Sequence, residues 1–382
     1  MSTSKIEKIC SGECCGCSAC YAVCPKSAVS MQENEKGFLH PVVSDDCIRC
    51  GLCARVCNTE DTFHTVMNAY IGNLKEKDKL SQSQSGGAFS AAAEAILQRN
   101  GVLYGAAMDE HLEAVHIRAD SRKTLARIKG SKYIQSRMEH IFLSVEQDLN
   151  EQRTVLFSGT PCQVSGLYKF LKHKKTDLSN LYTADLICHG VPSVLVWRDL
   201  LKYYEKKHSS RITQAVFRSK SAGGWDSNIG VYTFENGQTI STPDYAKLFG
   251  SLLSLRNSCY QCRYARKERI GDITIGDAWG IRQKNPECYD KNGVSLLLLN
   301  TPKAQALFPE ISGFMSLKEV NYQDYLQGSL KHPAKPNRNA EEFWNDYRNR
   351  NFSYVFQKYA KNHILLNWKY VLKKLLRKIH AK

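Results

Sequence analysis

Cys14-Cys15-Gly16-Cys17-Ser18-Ala19-Cys20-Tyr21-Ala22-Val23-Cys24-Pro25 sets four cysteines in a C-x2-C-x2-C-x3-C run that ends in proline. The spacing returns at Cys47, Cys50, Cys53 and Cys57, an internal repeat 33 residues further on. Thiolates at two-residue gaps in a tight loop can hold three corners of an iron–sulfur cube. The fourth thiolate, on the helix that follows, cannot reach back to its own cube and faces its neighbour. Gly16 and Gly51 sit between ligands, where backbone must pass close to a cluster without a Cβ, and Ala19, Ala22 and Ala54 are small enough for the same space.

The fourth cysteine therefore ligates the other cluster, as in two-cluster ferredoxins. One 4Fe-4S cluster is assigned to Cys14, Cys17, Cys20 and Cys57, the other to Cys47, Cys50, Cys53 and Cys24. Asn58 stands where a second proline is expected. Structural zinc usually pairs two C-x2-C units across a longer gap, so two complete runs favour the cubes. Cys10 and Cys15 are surplus to this count and read as spare thiols.

Around this segment the chain reads as globular. Its 382 residues suggest two or three domains, and 42% apolar with 24% charged residues excludes wholesale disorder. No apolar run approaches the roughly 20 residues of a spanning helix, and the first residues lack a hydrophobic signal segment. The expectation is a cytoplasmic protein, in which dense cysteine means metal ligation more than disulfides. The net charge of +16 is uneven: from Tyr347 to Lys382 there are ten Lys or Arg and no acid.

Beyond a polar stretch at 75–84, Ser85-Gly86-Gly87 precedes the alanine-rich helix former Ala91–Leu97. Such a helix start can hold a phosphate, or be a plain cap. Strands are expected at Gly101–Ala107, Ala114–Arg118, Val155–Ser158, Ala184–Gly190, Ala215–Arg218, Val231–Phe234 and Thr239–Thr242, the last two joined by the Asn236-Gly237 turn. Helices are expected at Glu139–Leu149, Val164–His173 and Val194–Lys206. This alternation predicts an α/β sheet whose loops line a crevice. Neither G-x-G-x-x-G nor G-x-x-x-x-G-K-[ST] occurs. Cys162 and Cys188 fall at loop ends of successive strands, and Cys259-Tyr-Gln-Cys262 is a metal-type C-x2-C. A third iron–sulfur cluster, a zinc site and inert buried thiols all remain open for these four. Cys288 has no nearby partner in sequence and reads as structural.

The chain resembles the coenzyme F-420 hydrogenase/dehydrogenase beta-subunit family, in the version with a dicluster ferredoxin domain fused in front. The resemblance rests on Lys36-Gly-Phe-Leu-His-Pro41, Ser85-Gly-Gly-Ala88, Gly130-Ser-Lys-Tyr-Ile-Gln-Ser136, Phe157-Ser-Gly-Thr-Pro-Cys-Gln163, Asp185-Leu-Ile-Cys-His-Gly-Val-Pro192, Cys259–Cys262 and Gly271-Asp-Ile-Thr-Ile-Gly-Asp-Ala-Trp-Gly280, in order over about 300 residues. It implies a flavoprotein holding FAD beside a cluster, with ferredoxin or another acidic carrier, or F-420, as redox partner. Some relatives reduce an organic molecule and others are associated with polysaccharide biosynthesis. An electron-transfer subunit of a larger complex, without a substrate of its own, is the alternative. For FAD, Ser85, Gly86, Gly87, Ser131 and Lys132 could serve the diphosphate. Tyr133 could cover a ring face, and Thr160, Gln163 and His189 offer hydrogen bonds near Cys162 and Cys188. Asp272 and Asp277 read equally as turn residues or as carboxylates near the flavin. A Cys162/His189 nucleophile is a further reading, since a cysteine at a helix start can have a depressed pKa.

The expected fold is thus α+β/α/β: a dicluster ferredoxin domain (1–62), a mixed α/β flavin-binding body in two parts (63–150 and 151–332) and a basic helical tail (333–382). Val371, Leu372, Leu375, Leu376 and Ile379 fall on one face of a helix whose other face is cationic. It could lie on an anionic membrane as a peripheral contact, or pack on the body. Nucleic-acid binding is disfavoured for want of a stacking platform, and an oligomer is compatible with the sequence.

Overall fold

The computed structural model describes residues 13–361 together with Ile6. Its amino-terminal unit holds two short helices, α1 (Ala19–Ala22) and α2 (Leu52–Cys57). Beside them lies the antiparallel pair β1 (Val29–Glu33) and β2 (Leu39–Val43). Each helix starts from a left-handed residue, Ser18 at φ 66° and Gly51 at φ 75°, which turns the chain sharply out of a cysteine loop. In this unit half-buried cysteines surround the buried Ile6, Cys20 and Val29, while Ala19, Ala22, Val23 and Val56 are buried against Phe142, Val164 and Leu167 of the body.

The body is built on one large sheet. Its elements in chain order are β3 (Asn68–Leu74), α3 (Ala88–Gln98), β4 (Val102–Met108), β5 (Ala114–Ala119), α4 (Arg122–Ile128), α5 (Ile141–Asn150), β6 (Val155–Gly159), α6 (Pro161–Lys174), β7 (Leu181–Leu186) and α7 (Val194–His208). Then follow β8 (Ile212–Val216), β9 (Gly230–Phe234), β10 (Thr239–Thr242), β11 (Ile273–Asp277), β12 (Ser295–Leu299), α8 (Pro302–Phe314), β13 (Met315–Glu319) and α9 (Ala340–Asn349). The eight-stranded order is β13-β3-β12-β11-β7-β6-β4-β5, and β8, β9 and β10 form a separate antiparallel sheet.

Strands β4, β6, β7 and β11 run parallel, and the outer strands are antiparallel to their neighbours. Every residue of β6 and β12 is buried, as expected of apolar runs covered on both faces. The alanine-rich α3 is buried almost all round and packs on α8. Its small side chains let it sit at the centre of the core.

Two expected boundaries shift, for local reasons. Strand β7 stops at Leu186 instead of continuing to Gly190. Ile187 still donates to the Ile275 carbonyl at 2.9 Å, but Gly190 at φ 121° turns the chain and Pro192 bridges to Leu255. Cys188 is thereby lifted off the sheet edge. At the other end of the chain, residues 340–361 are no free tail: Phe343, Trp344, Val355, Phe356 and Tyr359 are buried in a cluster shared with Trp197 and Leu200 of α7. The amphipathic helix expected at Val371–Ile379 lies outside the described residues.

Candidate functional site

The amino-terminal cysteines lie close together. Cys20 is within electrostatic reach of Cys14, Cys57 and Cys53, and Cys53 within reach of Cys47, Cys24 and Cys50. Burial is the main cause pushing both the Cys20 and Cys53 thiols up. Backbone amides donate to three of the sulfurs: Gly16 to Cys14 at 3.4 Å, Ala28 to Cys24 at 3.3 Å and Arg49 to Cys47 at 3.4 Å. Such N–H···S contacts are among the terms that set cluster potentials.

This unit is seated on the body by buried charge. Arg256, only 2% exposed, donates to the Cys14 carbonyl at 2.5 Å, the Leu39 carbonyl at 2.6 Å and Gln135 Oε1 at 3.0 Å. Asp61 accepts from Ser165 and Tyr264 and pairs with Lys169 at 3.2 Å. Gly166 of α6 completes the seat, since a Cβ there would stand 2.9 Å from Cys17 Sγ.

Where β6, β7 and β11 end, the structure opens a cleft of about 1590 Å³, mouth included. Its walls bring together Ser85, Gly87, Ser131, Lys132, Tyr133, Thr160, Cys162, Gln163, Cys188 and His189 from the expected residues. Gly86 is not on the wall. It passes so close to β3 and β12 that a Cβ would meet the Gly72 carbonyl at 2.2 Å, so its glycine is explained by packing. Cys259 and Cys262 stand behind the wall within electrostatic reach of Cys188. Burial pushes the Cys188 thiol up to about 11 and that of Cys259 up to about 12. Thiols so placed stay protonated unless a bound cation or metal centre supplies positive charge. Among the described residues no three His, Cys, Asp or Glu side chains converge on a single-ion site. A cube holds its thiolates further apart than one ion does.

The loop carrying the C-x2-C is tied to the sheet edge by Arg269 and Asp185, both almost fully buried. Arg269 Nη2 meets Asp185 Oδ1 at 3.2 Å, and its Nη1 holds the carbonyls of Tyr264 and Arg266, both at 3.2 Å. Asp185 also accepts from Thr274 Oγ1 at 2.5 Å and from the amides of Ile270 and Gly271 at 3.3 Å. Asp272 accepts from the Thr183 amide and hydroxyl and from Thr301, deep in the sheet. Asp277, by contrast, lies on the cleft and takes a bidentate pair from Arg218 at 2.8 and 2.9 Å. The two carboxylates that sequence left equivalent are thus separated.

The opposite wall is cationic. Lys132 Nζ donates to the carbonyls of Lys129 at 2.6 Å and Arg127 at 3.1 Å, capping the end of α4. Burial pulls it down to about 7. Outside this cleft, burial likewise brings Lys220 down to about 8, its Nζ held by the Leu80 and Ser85 carbonyls at 2.7 Å. On the cleft with Lys132, α3 begins from Gly87 at φ 83°, where the Gly86 and Ala88 amides donate to Ser295 Oγ at 2.9 and 3.4 Å. A desolvated ammonium group on the same cleft as a helix start suits a phosphate. His116, missed from the sequence, lines the cleft between Ser136 Oγ at 2.7 Å and the Ser158 carbonyl at 3.0 Å, and burial holds it neutral with a pKa of about 4.

The nucleophile reading finds no geometry. His189 Nδ1 meets Ser329 Oγ at 3.2 Å, while the Cys162 sulfur meets Thr160 Oγ1 at 3.2 Å. The Cys162 thiol is pushed up, first by hydrogen bonding with Cys15 and then by burial. Cys15, which the spacing leaves surplus, lines the same cleft. Neither Cys15 nor Arg218 carried a sequence signal, because neither position belongs to a spacing pattern.

Residues 13–60 match the family model described as 4Fe-4S dicluster domain. Residues 152–323 match that of the carboxy terminus of the coenzyme F420 hydrogenase/dehydrogenase beta subunit. The F subunit of the F(420)H(2) dehydrogenase of Methanosarcina mazei is 26% identical over 168 residues, 39% of this chain and 46% of that protein. The chain therefore spans about half the length of the curated relative it matches. Among solved structures, a chain of the F420-reducing NiFe hydrogenase complex from Methanosarcina barkeri superposes with a TM-score of 0.49 at 15% identity, over 71% of this chain and 88% of that one. The family resemblance read from the motifs holds: the chain carries a 4Fe-4S dicluster domain and, over residues 152–323, is related to the coenzyme F420 hydrogenase/dehydrogenase beta subunit. No helix among the described residues is long and apolar enough to cross a membrane.

Proposed function

We propose that the protein is an iron–sulfur flavoprotein oxidoreductase that moves electrons between a low-potential carrier, ferredoxin or F-420 in type, and an organic substrate. Cys162, Cys188, Cys259 and Cys262 would hold a third 4Fe-4S cluster, and FAD would lie in the cleft. Such a flavin, when bound, converts single electrons into the electron pairs of organic reduction. The observation that carries the reading is that thiols and a desolvated lysine line one cleft: Cys162 and Cys188 together with Lys132 and the start of α3.

The chain's own residues have distinct tasks in this reading. Lys132 and the amides at the start of α3 bind a diphosphate. Arg218 and Asp277 fix the far wall as a rigid pair. Tyr133, packed on Phe217 and Phe249, offers a ring face, and the neutral His116 holds the Ser158 carbonyl without adding charge.

Anaerobic purification of the full chain tests this. Iron and acid-labile sulfide should give about twelve irons, and the released chromophore should have the spectrum of FAD. About eight irons without flavin would overturn the reading. That result would favour an electron-transfer component of a larger complex, which the naming of the Methanosarcina mazei relative as one subunit among several also suggests. Cys162→Ser should lose about four irons.

A further inference from the structure

Cys14 and Cys15 are consecutive, yet they belong to different neighbourhoods. Cys14 groups with Cys20 in the amino-terminal unit. Cys15 lies on the cleft wall, within hydrogen-bonding reach of Cys162 on one side and Cys17 on the other. The spacing motif demands no thiol there. The corresponding residue of the second run is Ile48, which is 58% exposed, whereas Cys15 is half-buried on the cleft.

The position is also held from outside. Arg256 grips the Cys14 carbonyl, and Gly166 lets the Cys17 loop approach α6. Helix α6 carries Cys162 in its first turn. One side of Cys15 is thus a thiol assigned to the first cluster, and the other side a thiol assigned to the body centre.

We propose that Cys15 is a non-ligand thiol interposed between these two centres, and that electrons cross between the amino-terminal domain and the body along Cys17, Cys15 and Cys162. This rests on the third cluster proposed above. One electron leaves the first centre as one arrives at the second; Cys15 is neither oxidised nor reduced, and no bond to iron forms or breaks. Its contacts to both sulfurs also place it among the groups that set their potentials.

The test compares the anaerobic full-length protein with Cys15→Ala and Cys15→Ser by iron content, EPR during graded reduction and the rate at which the body centre is reduced by dithionite-reduced ferredoxin. Both variants should keep about twelve irons. Cys15→Ala should shift the midpoint potentials read by EPR during graded reduction and slow that reduction roughly 10- to 100-fold, the range for loss of an outer-shell partner, with Cys15→Ser recovering part of it. Unchanged midpoints and rates overturn the inference. So does a loss of about four irons in both variants, which would make Cys15 a ligand. A wild-type protein with only about eight irons removes the third cluster itself, a separate failure that the iron count reports before any variant is made.

Discussion

The amino-terminal domain and the body gather their thiols by opposite means. In the domain, Cys14 to Cys24 and Cys47 to Cys57 are local runs, and half-buried cysteines from both stand around Ile6 and Val29. In the body, Cys162, Cys188 and the Cys259–Cys262 pair come from three segments. Cys162 and Cys188 reach one cleft because β6 and β7 lie side by side and end at one edge, and the Val191 amide, just past Cys188, donates to the Cys259 sulfur at 3.4 Å. The sheet beneath them has large apolar cores of its own. The domain therefore draws its thiols together by spacing along the chain, whereas the body depends on distant segments that its sheet holds in place.

Metal removal should show that difference most strongly. Stripping iron with a chelator under mild oxidation should unfold residues 13–60, as in small metal-dependent domains. Hydrogen exchange should then lose protection throughout β1 and β2 while β6 and β12 keep theirs. Persisting protection in β1 and β2 would break the comparison.

The rim can be probed without touching a thiol. Arg269→Met leaves Asp185 buried without its partner, which should cost roughly 3–5 kcal/mol of body stability, read from the urea midpoint. Circular dichroism and iron content of the amino-terminal clusters should be preserved in the folded variant. A loss below about 1 kcal/mol would show that this pair does not hold the edge.

A smaller effect concerns the cationic wall. Burial lowers the Lys132 pKa to about 7, against roughly 10.4 in the unfolded chain. Between those values the unfolded state binds the extra proton, so this group's destabilising contribution, full below about pH 7, is relieved as pH rises towards 10.4. Anion binding runs the other way: FAD affinity should fall by up to about tenfold per pH unit above 7 as the ammonium is lost. Fluorescence titration of added FAD from pH 6 to 9 measures this, and Lys132→Met should flatten the profile. An unchanged slope in the variant would remove Lys132 from the diphosphate site.

Legibility in the sequence followed the distance over which each feature is encoded. The strand from Val155 and the helix through Val164–His173 could be read because apolar runs and capping residues act within a few positions. The Asn236-Gly237 hairpin was readable for the same reason. The places of β3, β12 and β13 in the large sheet could not be read, since antiparallel pairing across more than two hundred residues leaves no local mark. At Gly190 a positive φ ended β7 earlier than its apolar run suggested. Asp272 and Asp277 have the same residue type in neighbouring positions, and only their partners, Thr183 and Arg218, distinguish a sheet anchor from a cleft wall.

Spacing by itself marked the two cysteine runs, because three ligands of such a cube come from one tight loop. Short-range periodicity determined the strand–helix alternation that places Cys162 and Cys188 at strand ends. Only the tertiary structure decided that Cys15 faces the body and that Lys132 and the start of α3 line one cleft with the thiols. It also decided that residues 340–361 are core: whether a side chain is buried, and beside what, depends on segments far away in the chain.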